Sequence, residues 1–223
     1  MIPWETIDTA GIPGGSETLR LKRRGTEFSI MLGTNELMNS RLSGSEEALA
    51  RLTIERLTAP APRVLVGGLG LGFTLRACLP LLPAQARVTV VELVPAVVAW
   101  ARGPLAALHG DSLDDPRVTI VEEDVGTVIR AAKADWDAIL LDVDNGPEGL
   151  SRAGNDALYS ASGLVAARAA LAPGGVLSVW SAGPDRGFTR RLQASGLKVE
   201  EIPVRAGTTK RGARHVVWVG RKE

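Results

Sequence analysis

In Arg63-Val64-Leu65-Val66-Gly67-Gly68-Leu69-Gly70-Leu71-Gly72-Phe73-Thr74-Leu75 an apolar run breaks into four glycines within six residues, then resumes with helical spacing. Three consecutive aliphatic residues suit a strand buried on both faces, as in a covered parallel sheet. The glycines permit a tight turn and let a ligand approach the backbone. The helix behind them offers unpaired N–H groups. The next apolar run, Arg87–Val91, is followed by Glu92, 20 residues after Gly72. A carboxylate at that place can accept hydrogen bonds from both hydroxyls of a ribose.

The glycine spacing separates two kinds of nucleotide ligand. A nicotinamide site asks for Gly-x-Gly-x-x-Gly, and counting from Gly68 the last position is Phe73. Gly68-x-Gly70-x-Gly72 fits the adenosylmethionine pattern instead, so Gly67, Gly68, Gly70, Gly72 and Glu92 are the candidate donor-binding residues. The plain alternative is a glycine-rich turn without a ligand.

Working outward, strands are predicted at Arg63–Val66, Arg87–Val91, Arg117–Val121, Trp136–Leu141, Val176–Trp180, Lys198–Val204 and Val216–Gly220. Helices are predicted at Phe73–Leu81, Pro95–Ala107, Val125–Ala134, Gly163–Leu171 and Asp185–Ser195. This alternation implies a doubly wound, Rossmann-like α/β fold with a seven-stranded sheet. No helix separates the last two strands, so they should pair antiparallel at one edge. Before this domain (residues 45–223), residues 1–44 read as an N-terminal β-hairpin region, with strands Thr18–Arg23 and Glu27–Leu32 and a second turn at Gly33-Thr34-Asn35. A lone hairpin cannot bury itself, so it should pack on the larger domain or on a second copy, which makes a homodimer the expected assembly. Ser43 followed by Glu46 fits a capping box for a helix that Pro60 and Pro62 would end.

Composition narrows the partners. Twenty-six basic and 25 acidic residues nearly cancel, and no long basic run marks a nucleic-acid surface. Cys78 is the only cysteine and the two histidines, His109 and His215, lack ligand spacing, so neither a disulfide nor a metal is expected. No apolar stretch reaches the length of a membrane span, and the start shows no signal-peptide pattern, which together predict a cytoplasmic protein.

The chemistry should sit in the loops that follow the strands. Asp124 closes the third strand and can accept from the exocyclic amine of adenine, or cap the helix after it. The fourth strand ends in Asp142-Val143-Asp144-Asn145-Gly146-Pro147. An amine attacking a sulfonium is mostly protonated at neutral pH, so a carboxylate that orients it and takes its proton is useful. Asp142 is the candidate for that catalytic role, and Asp144 and Asn145 are candidates to bind the acceptor, although Asp-Asn-Gly-Pro is also ordinary turn chemistry. Tyr159 can line the acceptor pocket or fill the core, and Trp180 and Ser181 can border the pocket.

At Val64-Leu65-Val66-Gly67-Gly68, Val90-Val91-Glu92-Leu93, Asp115-Pro116-Arg117-Val118 and Asp137-Ala138-Ile139-Leu140-Leu141-Asp142 the chain resembles the spermidine synthase family, within the class I S-adenosylmethionine-dependent methyltransferase superfamily. The resemblance implies Glu92 on the ribose, Asp124 on the adenine and Asp142 as proton acceptor. It implies a transferase moving an aminopropyl or methyl group from decarboxylated S-adenosylmethionine or S-adenosylmethionine to a small nucleophile, an amine. There are departures. Gly70 stands where the family's glycine loop has the aspartate that binds the donor's ammonium. Ser45-Glu46-Glu47 replaces a Tyr-His-Glu segment, leaving Glu47 as a candidate substrate-binding residue, and Val66 stands where ordinary methyltransferases carry an acid. The rival readings are a plain small-molecule methyltransferase and a non-catalytic nucleoside-binding or interaction protein.

Overall fold

The computed structural model describes residues 2–143, 157–207 and 212–223. Strands β1 (Glu5–Gly11), β2 (Thr18–Arg24), β3 (Glu27–Leu32) and β4 (Asn35–Asn39) form an antiparallel sheet in that order. Helix α1 (Gly44–Ile54) then leads into the larger unit. Its elements are β5 (Arg63–Gly67), α2 (Phe73–Cys78), β6 (Arg87–Glu92), α3 (Pro95–Arg102), α4 (Ala106–His109), β7 (Val118–Glu122), α5 (Val125–Ala131), β8 (Trp136–Leu141), α6 (Ala161–Ala170), β9 (Leu171–Ser181), α7 (Arg186–Ala194), β10 (Lys198–Arg205) and β11 (Arg214–Arg221).

These seven later strands lie in the order β10-β11-β9-β8-β5-β6-β7. β5 to β9 run parallel, while β11 is antiparallel to both neighbours, as the missing helix before it required. The chain winds from β5 toward β7, then returns to β8 on the other side of β5. Loops leaving β5 and β8 therefore diverge at this point and open a crevice, the usual ligand position in such sheets.

The N-terminal unit has four strands rather than a hairpin. β1 and β4 escape a sequence reading because both are edge strands with mostly exposed or half-exposed side chains, and asparagines bound β4. They exist through pairing, such as Ile30 against Met38, and through a register shift between Thr6 and Asp8, where the Asp8 carboxylate accepts from Trp100 Nε1 at 2.7 Å. Leu19, Leu21, Ile30 and Leu32 of the hairpin join Val97, Val98 and Trp100 of α3 in one apolar cluster. The hairpin thus covers its apolar face on its own chain.

α1 departs from the capping-box reading. Ser43 is the N-cap residue, but its hydroxyl donates to Glu47 Oε1 at 2.8 Å and caps no backbone N–H. The helix also ends at Ile54, before the prolines, in a tightened turn where Arg56 and Leu57 N–H groups reach Thr53 and Ile54 carbonyls. Two distant contacts set how α1 is rotated: Gly44 N–H donates to Ala206 O at 2.9 Å, and the Ser178 hydroxyl is hydrogen-bonded at 2.7 Å to that of Thr53, whose own proton goes to the Leu49 carbonyl. The predicted helix Pro95–Ala107 breaks at Gly103 into α3 and α4. No helix among the described residues is long and apolar enough to cross a membrane.

Candidate functional site

The glycine loop crosses the end of β8 at van der Waals range. Gly68 has φ +91, and a Cβ there would run into the carbonyl oxygen of Asp142. Only glycine satisfies both the left-handed backbone and this approach. Gly68→Ala should therefore destabilise the protein by about 2 kcal/mol, read as a lower melting temperature, and displace the Asp142 loop.

Glu92 ends β6 and is 8% exposed. Its Oε2 accepts from Leu69 N–H and its Oε1 from Val94 N–H, each at 2.9 Å, so the carboxylate ties the glycine loop to the turn after β6. Burial pushes this carboxyl above its ordinary range, while N–H groups of Val94, Leu69, Gly70 and Leu93 pull against that. Each oxygen retains a second lone pair. Asp124 caps α5, accepting from Thr127 N–H at 2.8 Å, and borders the same crevice; the capping and ligand-facing roles are compatible.

Glu92, Asp124, Gly68, Gly70 and Asp142 line one cleft of about 790 Å³ counted out to solvent. Its apolar wall comes from the N-terminal unit, through Ile12 after β1, Leu19 and Ile30, and from Val94 and Val97. A bidentate acceptor for a diol, an acid at the far rim and apolar flanks for a flat base fit a nucleoside.

A second, smaller chamber, about 420 Å³ counted out to solvent, adjoins the first and shares Leu37, Met38, Gly70 and Asp142 with it. Gly70 has φ +48, and a Cβ there would lie 2.7 Å from Met38 Sδ. The thioether thus occupies the space that a side chain at position 70 would need. Beyond it stand Glu46, Leu71, Phe73 and Trp180.

Asp142 lies where the chambers meet. Thr74 Oγ1 donates to its Oδ2 at 2.6 Å. Burial, reinforced by the Glu46 carboxylate and opposed by the Thr74 hydroxyl, pushes Asp142 up to about 7. Glu46 is raised as well, chiefly by burial, although the Ser45 hydroxyl donates to its Oε2 at 2.6 Å. Beneath them Cys78 is fully buried, its thiol pushed up to about 12 by burial and by the Asp142 charge, so it stays protonated.

His109 packs directly against Gly72, with neither ring nitrogen bonded among the described residues. Burial and the Arg76 charge hold it down at about 4. A histidine kept neutral in the fold but chargeable when unfolded stabilises fully above its unfolded pKa, near 6.5, and loses that contribution as pH falls toward 4. Asp142, raised rather than lowered, runs the other way over part of that window. The informative quantity is thus a difference: relative to His109→Phe, the wild type should lose about 2 kcal/mol between pH 7 and pH 5, measured by denaturant melts at both pH values.

The structure gathers Gly67, Gly68, Gly70, Gly72, Glu92, Asp124 and Asp142 at one end of the sheet. It does not bring Glu47 there: that side chain is exposed and turned to Ser43, and its neighbour Glu46 is the acid on the wall. Tyr159 is 2% exposed and packs edge-on against Phe188, 5.6 Å between ring centres, in the cluster on the opposite side of the sheet from α1. It fills the core there and does not line either chamber. Asp144 and Asn145 lie outside the described residues. Sequence reasoning missed Glu46 and Met38. One signal for Glu46 existed: it precedes Leu49, Ala50 and Thr53 by three, four and seven residues, on their buried stripe. Among the described residues no group of three or more His, Cys, Asp or Glu side chains could hold a metal.

Similarity to known proteins agrees with this geometry. The profile described as "Spermine/spermidine synthase domain" matches residues 44–184. Polyamine aminopropyltransferase 1 of Streptomyces coelicolor is 38% identical over 130 residues, covering 57% of this chain and 24% of that protein. Putrescine N-methyltransferase 2 of Nicotiana attenuata is 31% identical over 140 residues, covering 60% and 36%. The chain thus spans between about a quarter and about a third of the length of these relatives. The crystal structure of spermidine synthase from Thermotoga maritima superposes with a TM-score of 0.78 at 21% identity, over 98% of this chain and 73% of that one, which shows the shared fold. With a family profile spanning most of its length and the two-sheet architecture of a solved spermidine synthase, the chain belongs to the spermine/spermidine synthase family.

Proposed function

We propose that this protein is a transferase that moves an alkyl group from a sulfonium nucleoside, decarboxylated S-adenosylmethionine or S-adenosylmethionine, to a small amine. The observation that carries the reading is the position of Asp142 at the junction of a cleft lined by Glu92 and Asp124 and a second, acid-lined chamber. Glu92 would hold the ribose and Asp124 the adenine. The reaction joins an amine nitrogen to carbon as the carbon–sulfur bond breaks, with the bonding pair leaving on sulfur. A sulfonium and an ammonium become a thioether, a substituted ammonium and one proton. Asp142 is placed to receive that proton, and its value of about 7 suits a base that must be reprotonated and discharged at neutral pH.

Aminopropyl transfer is the leading version. The described residues lining the first cleft include Glu92, Glu123, Asp124 and Asp142 and no lysine or arginine, which favours a donor tail without a carboxylate. The methyl version draws support from Met38, which fills the place beside Gly70 where an acid would hold a donor ammonium. Calorimetry with the two donors separates them: tighter binding of the carboxylated donor sinks the aminopropyl version, and binding of neither sinks both. The reading places the enzyme in the cytoplasm, consistent with a single buried, protonated thiol. It includes a homodimer, since the outer edges of β1 and β4 have no strand partner among the described residues. Light scattering checks the assembly.

A further inference from the structure

We infer that Glu46 is a second amine-binding carboxylate, which together with Asp142 clamps a single primary ammonium on an apolar stem in the second chamber. The inference rests on the transferase reading for the amine's fate but not for its binding. Glu46 and Asp142 line the same chamber, and each side chain is held from behind by one hydroxyl, Ser45 on Glu46 at 2.6 Å and Thr74 on Asp142 at 2.6 Å. Two acids so placed repel each other, and the described residues lining the chamber include no cation to balance them. The side chains that act on the pair are Glu47 on α1, Ser45 and Thr74, none of them cationic. An arrangement that costs free energy when empty is relieved by a bound positive charge. The other walls are apolar: Leu37, Met38, Leu71, Phe73 and Trp180. Trp180 is 7% exposed and buries its indole N–H without a hydrogen-bond partner among the described residues. Its ring adds an aromatic wall suited to an ammonium. A charged head on a short hydrocarbon stem matches this lining; a carboxylate or a neutral alcohol does not.

A chain of hydrogen bonds fixes Glu46 as an acceptor. The fully buried Ser45 hydroxyl has one proton, and it is directed to Glu46 Oε2. Ser45 Oγ lies 2.9 Å from His215 Nδ1, so with its own proton on Glu46 it accepts there, which puts the proton of a neutral His215 on Nδ1. His215 is half-buried, edge-on to Trp180 with ring centres 4.9 Å apart, and burial lowers it so that it is neutral near pH 7. β9 brings only Trp180 and Ser181 to this part of β11. Arg214 and its cross-strand partner Arg205 belong to the opposite face by strand alternation.

The test is titration of the full chain with n-butylamine in the absence of donor, with n-butanol as the uncharged control. Run at pH 7 in buffers of differing ionisation enthalpy, it also counts protons released. The cation should bind, the alcohol should not, and binding should expel a fraction of a proton, because the ammonium drives the carboxyl pair to its fully ionised form. At pH 9 the release should vanish. Glu46→Gln should weaken butylamine binding about tenfold and remove most of the proton release, while leaving donor affinity within threefold. Ser45→Ala should give a smaller loss of about threefold. Nitrogen-15 spectra, with His109→Phe separating the two histidines, should find His215 protonated at Nδ1. The inference is overturned by equal binding of butanol, by wild-type binding without proton release at pH 7, by an unchanged Glu46→Gln affinity, or by His215 protonated at Nε2. The wild-type measurements decide even if a variant fails to fold. Loss of donor binding alone would instead count against the transferase reading and leave this one standing.

Discussion

Asp142→Asn should cut turnover by about 100-fold or more, the usual contribution of a positioned general base, while making the protein more stable at pH 8. The two effects share one cause. Asp142 is raised to about 7 by burial and by Glu46, so its charged form is disfavoured in the fold. For a carboxyl raised on folding, stability is fully present below the unfolded value, near 3.9, and declines as pH rises through the folded value. At pH 8 the ionised side chain therefore costs stability, with an upper bound of about 4 kcal/mol. The cleft is open to water, so about 1 to 2 kcal/mol is the realistic gain on neutralising it. Asparagine is nearly isosteric and its carbonyl can still accept from Thr74. A rise in melting temperature of about 3 °C or more at pH 8, absent at pH 4, is the expected signature. Donor affinity should change less than threefold, because the ribose and base contacts lie elsewhere. The wild-type rate should rise with pH through about 7 as Asp142 ionises. A variant that keeps wild-type turnover, or a wild-type rate that is flat between pH 6 and pH 8, removes Asp142 from the chemistry.

Glu92→Ala should weaken donor binding by about 100-fold, or roughly 3 kcal/mol, from the loss of two hydrogen bonds to a charged acceptor. The same change has a structural consequence, since Leu69 and Val94 N–H groups lose the carboxylate that joins them. Two unsatisfied buried donors would destabilise the fold by a few kcal/mol, partly offset by removing a buried carboxylate. The two effects are separated by measuring donor affinity well below the melting temperature and comparing it with amine affinity in the second chamber. A collapsed glycine loop would weaken both, because Gly70 borders both chambers. Loss of the ribose contact alone would weaken only the donor. Equal donor affinity in wild type and variant refutes the ribose assignment.

Much of the larger unit was legible from residue order. Runs such as Val64-Leu65-Val66 and Ala138-Ile139-Leu140-Leu141 are fully buried central strands, and their sequence bounds lie within a residue or two of the observed ones. Tyr159 shows the opposite case. An aromatic residue downstream of the Asp142 loop suits a pocket wall as well as a core, and only its packing against Phe188 decides between them. β1 was invisible because just Ile7 and Ala10 face inward along its length, too few for a periodic signal.

The doubly wound core, the donor-type glycine spacing and the acid at the end of the second strand of that core were all present in the order of residues. Each is a local requirement: continuous apolar runs for strands covered on both sides, glycine for a left-handed turn, and a fixed length of chain between neighbouring strand ends. Which of two adjacent glutamates enters the site was left to the folded chain. Nothing between Ser43 and Leu49 distinguishes Glu46 from Glu47 with certainty, because a helix can rotate about its axis at little local cost. The rotation is settled by Ala206 and Ser178, more than a hundred residues away.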